Sequence, residues 1–335
     1  MEALADRGHD LIVFSGREAK NRPHLRYVHL NGSFSNDETV SFESVGTFGP
    51  FGNVQFVFGT VYNTCKVQLE AHGMKELLRL EESFDLIIYE SVGFDCFLGV
   101  LHKFRGTATV GISAHGLSHW NFDALKLWTP PAAYPLEFLP VPSAMSFLQR
   151  LHNWLLTQIV RLNFWLVHTP RHQVLAEEHF GPLPPIRSLE KFNLFLSNSG
   201  PVGLDPGRFL PPAVKEVGCI QCSNGKQLRR HLNGQGVVDK GVGVKLSVAD
   251  LGKRKFGQAI AHMLENKRFS TQAKEMSSIA KDQPESALER AVFWTEYAIR
   301  HKGAEHLQLA WQNESCISVG MWDMTRNTYP RQCQK

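Results

Sequence analysis

Residues 84–113 read FDLIIYESVGFDCFLGVLHKFRGTATVGIS. Residues 86–89 are a short apolar run, and Phe94, Phe97, Leu98 and Leu101 then recur at helical spacing. Residues 107–112 are rich in Thr and Val and are fenced by Gly106 and Ser113. This pattern predicts strand, helix, strand, the crossover unit of a parallel sheet. A strand that is apolar nearly throughout is one buried on both faces. Glu90 is the first ionisable side chain past Tyr89, at the carboxyl end of that strand, where ligands of open α/β sheets bind. The plainer alternatives for Glu90 are a helix cap or a solvated surface group.

The chain on either side extends the pattern. Residues 1–7 read as the last turns of an amphipathic helix closed by Gly8, and residues 11–14 and 26–30 as buried strands. Residues 31–53 are rich in Ser, Gly and Asn and read as loop, whereas 67–82 read as one helix that Gly73 weakens. The order is helix, strand, strand, helix, strand, helix, strand, a doubly wound sheet without its first strand. Residues 114–142 read as a long loop with five prolines and the aromatics Trp120, Phe122, Trp128, Tyr134 and Phe138. Such a loop beyond a sheet edge suits an apolar small molecule, or serves as a packed cover. Helices are expected over 145–167 and 170–180, strands over 193–198 and 214–220, and a short helix over 228–233. Residues 242–246 are strand-like. Then come only helices, over 256–265, 271–281 and 287–300. A second doubly wound domain alternates strands and helices, so this part resembles the end of such a domain with its middle absent. The expected division is an acceptor-side unit over 1–236, a helical remnant over 237–310 and an irregular tail over 311–335.

Composition narrows the function classes. The 335 residues suggest two domains. A net charge of +4 argues neither for nor against nucleic acid, but no basic stripe interleaved with aromatics is legible, and no nucleic-acid partner is expected. Residues 226–231, KQLRRH, read as a solvated helix face. Cys219 and Cys222 form a lone CxxC without a second ligand pair, and no metal is expected. Cys96 reads as packed on an apolar helix face, and nothing points to a disulfide scaffold. His115 and His119 lie four apart in a Gly-containing loop, and loop hydrogen bonding is favoured for both. Gly241-Val242-Gly243 lacks the third glycine of a dinucleotide fingerprint. No signal peptide is legible before residue 10. The apolar segment 145–167 carries Arg150, His152 and Arg161, which argues against a spanning helix. It reads as a core helix with a polar face or one lying on a membrane surface.

Several stretches together resemble a family. MEALADRGHD, FDLIIYE, the loop TPPAAYPLEFLPVP leading into MSFLQRLHNWL, and NLFLSNS resemble the acceptor-binding half of animal, insect-type UDP-glycosyltransferases. KGVGVKL and residues 259–310 resemble the final helices of their donor-binding half, DQPESALERAVFWTEYAIRHKGA most specifically. The resemblance implies the GT-B architecture, two facing Rossmann-like domains. It implies hexosyl transfer from a UDP-sugar co-substrate to a small lipophilic hydroxyl acceptor, with no tightly bound cofactor. In that mechanism a histidine base deprotonates the acceptor and an acidic residue steadies the histidine. Glu90 matches the acidic position, where many relatives carry Asp, and Asp95 is the alternative. Phe94, His115, Trp120, Trp128, Tyr134 and Phe138 are the expected acceptor-pocket residues. The catalytic histidine, the Trp–Pro–Gln element, the His-Gly-Gly turn and the hydrophobic carboxyl-terminal anchor have no counterpart in the sequence. A truncated or internally deleted member of low turnover is therefore expected. The alternative is a non-catalytic fragment that binds lipophilic ligands or modulates full-length relatives as a homo- or hetero-oligomer. The family resemblance implies the endoplasmic reticulum membrane, and the lack of an address or anchor a cytoplasmic location.

Overall fold

A computed structural model describes residues 1–17, 19–30, 49–114, 116–127, 129–131, 134–136, 139, 141–142, 144–199, 210–218, 220, 238, 240–246 and 253–309. In chain order, helix α1 (Glu2–Ala5) precedes strands β1 (Leu11–Ser15) and β2 (Leu25–His29), and helices α2 (Gly49–Leu69) and α3 (His72–Arg79) follow. Next come β3 (Leu86–Glu90), a 3-10 turn (Asp95–Phe97), α4 (Leu98–Lys103), β4 (Ala108–Ser113) and α5 (His119–Ala124). Helix α6 (Phe147–Asn163) runs through a π-turn (Phe164–His168) into α7 (Thr169–Phe180). A 3-10 turn (Ile186–Leu189), β5 (Leu194–Ser197) and β6 (Val214–Glu216) complete the strands. Helices α8 (Lys253–Glu265), α9 (Lys267–Lys281) and α10 (Ala287–Arg300) and a 3-10 turn (Glu305–Leu307) end the described chain.

Every named strand pair is parallel. The strands form two sheets, β1-β2 and β3-β4-β5-β6. The larger sheet is covered on both faces, the reason its strands are apolar at consecutive positions. On one face Phe195, Leu98, Leu101, Ala176 and Ile186 close a core with Phe192. On the other, Val110, Leu194 and Leu196 meet Ala291, Trp294 and Ala298 of α10. This parallel α/β layer is Rossmann-like. Gly111 permits the first packing, since a Cβ there would fall 2.5 Å from Phe195 Cδ2.

The predicted strands appear within a residue or two of their expected ends, except 214–220, which shortens to Val214–Glu216, and the strand-like 242–246, which forms none. The helices needed more correction. Residues 67–82 are not one helix: α2 ends at Leu69, and α3 restarts after Ala71, whose backbone is extended. Gly73, a weakness for helix propensity, is a contact requirement, because a Cβ there would lie 2.7 Å from the His29 carbonyl oxygen. Helix α2 begins inside the segment read as loop. Gly49, Pro50, Gly52, Asn53 and Gly59 mask it in the sequence, and tertiary packing of Val54, Phe58, Val61 and Cys65 overrides their propensity. Residues 242–246 are not a strand. The helical segment 228–233, the motif KQLRRH, Cys219 and Cys222 lie outside the described residues.

The reading of Cys96 as merely packed is also corrected. Cys65 and Cys96 form a disulfide that ties α2 to the 3-10 turn after β3. Both residues are fully buried. Their spacing of 31 residues gave no sequence signal, because pairing depends on Cα approach in the folded chain.

Candidate active site

β3 delivers Glu90 to the carboxyl end of the larger sheet, paired with Ile112 of β4. The side chain opens onto a cavity of about 1580 Å³ lined by β1, β3, α3 and the aromatics Phe94, Phe97 and Phe104. Surrounding protein raises the Glu90 carboxyl above the usual carboxylate range, and the charge of Arg17 opposes that rise. Its surface is open to solvent, which limits how far burial can act. Among the described residues no histidine hydrogen-bonds Glu90. Of the expected acceptor residues among the described ones, only Phe94 shares this cavity wall. His115, Trp128 and Phe138 lie outside the described residues. Trp120 instead stacks on Phe164 at 6.4 Å with nearly parallel rings, in a separate cluster with Phe58. The backbone carbonyl of Tyr134 accepts a hydrogen bond from Asn153 Nδ2 at 2.9 Å.

Asp95 belongs to a second constellation, just beneath the first. Arg187 Nη1 meets Asp95 Oδ1 at 3.2 Å and also pairs with Glu190. Ser91 Oγ donates to Glu190 Oε1 at 2.7 Å, and Asn121 Nδ2 donates to Ser91 Oγ at 2.8 Å. Arg187 Nη2 donates to the Trp120 carbonyl at 3.3 Å, and its guanidinium lies 5.0 Å from the Phe164 ring centre. Asp95 and Glu190 are buried, with one arginine between two carboxylates. Burial raises the Glu190 carboxyl to about 7; the Arg187 charge pulls it down and Asp95 pushes it further up. Tyr89, whose hydroxyl donates to the Phe94 carbonyl at 2.8 Å, is held well above its usual value by burial and the nearby carboxylates. The network fastens the loop after β3 to the turn before β5, and so positions the segment that carries Glu90.

Two histidines support the same loop. His168 Nε2 pairs with the Gly93 carbonyl at 3.1 Å. His172 Nδ1 accepts the Cys96 backbone N–H at 3.1 Å and lies 3.7 Å from Cys65 Sγ. Burial pushes His172 down to about 2, and the His168 charge adds to that, so its imidazole is neutral. Arg187, Glu190, Ser91 and the two histidines were missed in the sequence. The one available signal was an Arg187–Glu190 pair, three apart, inside the largely apolar and proline-containing LPPIRSLEKF.

This is a Rossmann-like α/β layer with an acid at the carboxyl edge of its parallel strands. Comparison with known proteins gives the class a family. The model of "UDP-glucoronosyl and UDP-glucosyl transferase" matches residues 229–317. The chain is 42% identical over 73 residues to UDP-glucosyltransferase 2 of Dactylopius coccus, covering 22% of this chain and 14% of that protein. It is 40% identical over 78 residues to a UDP-glucuronosyltransferase of Pleuronectes platessa, covering 23% and 16%. It is 31% identical over 122 residues to UDP-glucuronosyltransferase 1A9 of Mus musculus, covering 36% and 21%. No solved structure matches. The likeness to the UDP-glycosyltransferase family is thus carried by part of the chain, and the chain spans between a seventh and about a fifth of those curated relatives.

Proposed function

We propose that this chain serves the family reaction, transfer of a hexose from a UDP-sugar to a small lipophilic hydroxyl compound, with Glu90 as the acidic partner of the acceptor-activating base. The observation that carries the reading is the coincidence of a family-matched segment with a carboxylate at the carboxyl edge of a parallel sheet, opening on a largely apolar cavity. In the reaction the base takes the acceptor proton, the oxygen attacks the anomeric carbon and UDP departs. Glu90 would hold the base's tautomer and steady its positive charge. Residues 1–236 would form the acceptor side, and residues 237–310 would contribute helices of the donor side.

Three finer points follow from the same reading. The Cys65–Cys96 disulfide supports folding in an oxidising compartment, such as the lumenal side expected for the family. Phe147, Leu148, Leu151, Leu155, Ile159 and Leu162 form an exposed apolar stripe along α6, which supports contact with a membrane surface. No helix among the described residues is long and apolar enough to cross a membrane. Exposed Phe256, Ile260 and Leu264 on α8 suit association with another family chain.

The test is incubation of the purified chain with radiolabelled UDP-glucose and a panel of phenols. Because no histidine among the described residues engages Glu90, turnover is expected about 10²–10⁴-fold below that of intact relatives. Full-rate transfer would refute the expected loss of turnover, and transfer unaffected by Glu90→Ala would remove Glu90 from the mechanism.

A further inference from the structure

Cys65 and Cys96 meet a third side chain of metal-ligating type. Cys65 lies on α2, Cys96 on the 3-10 turn after β3 and His172 on α7, and all three are fully buried. The two sulfurs and one imidazole nitrogen lie within 4.8 Å of one another. His172 Nδ1 accepts the Cys96 N–H at 3.1 Å, so it presents a lone pair, and that same nitrogen stands 3.7 Å from Cys65 Sγ. A disulfide sulfur has no proton to offer a lone pair, so in the bridged state this approach is no hydrogen bond. Ring packing fixes it instead: Tyr62 meets the His172 ring edge-on at 5.6 Å, and His168 lies against it at 4.0 Å. His172 Nε2 has no hydrogen-bond partner among the described residues, which leaves the Nδ1 end to set the ring's orientation.

The donor set has the chemistry of one class of ion. Two thiolates and an imidazole suit zinc and do not suit magnesium or calcium, which take oxygen ligands. Around a tetrahedral zinc, bonds of about 2.3 Å to sulfur and about 2.0–2.1 Å to nitrogen put each sulfur about 3.6 Å from the nitrogen. Cys65 Sγ and His172 Nδ1 already stand 3.7 Å apart. Two thiolates also cancel the charge of a divalent ion, and a neutral unit is what the surrounding Leu69, Met74 and Leu175 tolerate. Three protein ligands are the number found where zinc keeps a fourth position for water or another donor.

We propose that the reduced chain binds one Zn²⁺ ion through Cys65, Cys96 and His172, so that this position holds either a disulfide or a metal. An external dithiol supplies the two electrons: it becomes a disulfide, the Cys65–Cys96 bond breaks, and each sulfur gains a proton. Zinc then displaces those two protons and binds the two thiolates and the Nδ1 lone pair. The Cys96 N–H loses its nitrogen partner and turns to thiolate sulfur, a weak acceptor. Both forms fasten α2 to the turn after β3, and the metal form ties in α7 as well. Both sulfurs are fully buried, so exchange between the forms requires that turn to lift. The proposal does not depend on the sugar-transfer reading.

The test uses the full chain with Cys219, Cys222, Cys316 and Cys333 replaced by serine, so that Cys65 and Cys96 are its only cysteines. The chain is reduced with a phosphine, which does not compete for zinc as a dithiol does, loaded with Zn²⁺ and dialysed against zinc-free buffer. Metal analysis is expected to find one Zn²⁺ per reduced chain and less than a tenth of that on the oxidised chain. Zinc should raise the melting temperature of the reduced chain and leave that of the oxidised chain unchanged. His172→Gln is expected to weaken zinc binding to the reduced chain at least tenfold, with circular dichroism showing that the variant folds. Should it not fold, ¹¹³Cd loaded into the reduced four-serine chain reads the donor set from its NMR shift, and a shift typical of two sulfurs with nitrogen is expected. The proposal is overturned if the reduced chain holds no zinc or the oxidised chain holds as much. It is overturned equally if a folded His172→Gln binds zinc undiminished, or if the cadmium shift is typical of oxygen donors.

Discussion

Replacing both cysteines of the Cys65–Cys96 bridge with alanine should cost a large part of the protein's stability. With 31 residues in the closed loop, the chain-entropy expression gives about 3.7 kcal/mol at room temperature. Domains of this kind are stable by only about 5–15 kcal/mol in total. The unfolding entropy expected for 335 residues, about 0.7 kcal/mol per kelvin, converts that loss to a fall of about 5 °C in Tm. The measurement is a thermal melt followed by circular dichroism, on the parent with and without reductant and on the Cys65→Ala/Cys96→Ala variant. Reduced parent and variant should melt together, below the oxidised parent. Non-reducing peptide mapping should recover the two segments as one cross-linked species. If the oxidised and reduced parents melt within 1 °C of each other and mapping finds two free thiols, the reasoning is refuted. The fully buried sulfurs would then be packing groups, as the sequence alone suggested for Cys96.

Two further outcomes concern the carboxylates around Arg187. Arg187→Met leaves Asp95 and Glu190 buried without their cation, and denaturant unfolding near pH 8 should show a loss of about 3–5 kcal/mol. Adding Glu190→Gln to that variant should recover part of the loss. Glu190 itself is raised to about 7 in the fold, so its contribution is fully present below its unfolded value near 4.5 and is lost as pH rises through 7. Glu190→Gln should therefore gain stability relative to the parent between pH 5 and pH 8. A parent-minus-variant difference that is flat over that window would show the carboxylate ionised throughout. The difference must be read rather than the parent alone, because His168 and His172, both lowered by burial, bend the curve the opposite way below about pH 6.5.

The strands were legible because each is a short run of apolar residues, and a strand buried on both faces needs little else to specify it. Glu90 followed from position alone: the end of such a run is the carboxyl rim of the sheet. The helices flanking glycines were not legible. α2 is held by what it packs against, and its propensity says loop. The π-turn at Phe164–His168 was read as plain helix, although it aims Phe164 and His168 inward together. The Asp95–Arg187–Glu190 network and the disulfide both join positions far apart in the chain, and no local pattern encodes such meetings. The aromatic loop was read as one binding surface because its residues are neighbours in sequence. The fold sends Trp120 to a stack with Phe164 and leaves Phe94 with Glu90.

α10, from the family-matched segment, seals the back of the sheet that carries Glu90, with Ala291 and Ala298 against Val110 and Leu196 and the Lys215 ammonium 3.5 Å from the Trp294 ring centre. Unseating this helix would uncover Val110 and Leu196, so its seating and the integrity of the strands are expected to be coupled. With such coupling, a molecule that favours the seated helix from the carboxyl-terminal side would, by reciprocity, tighten a ligand whose binding at the rim beside Glu90 needs intact strands, and that ligand would steady the helix in return.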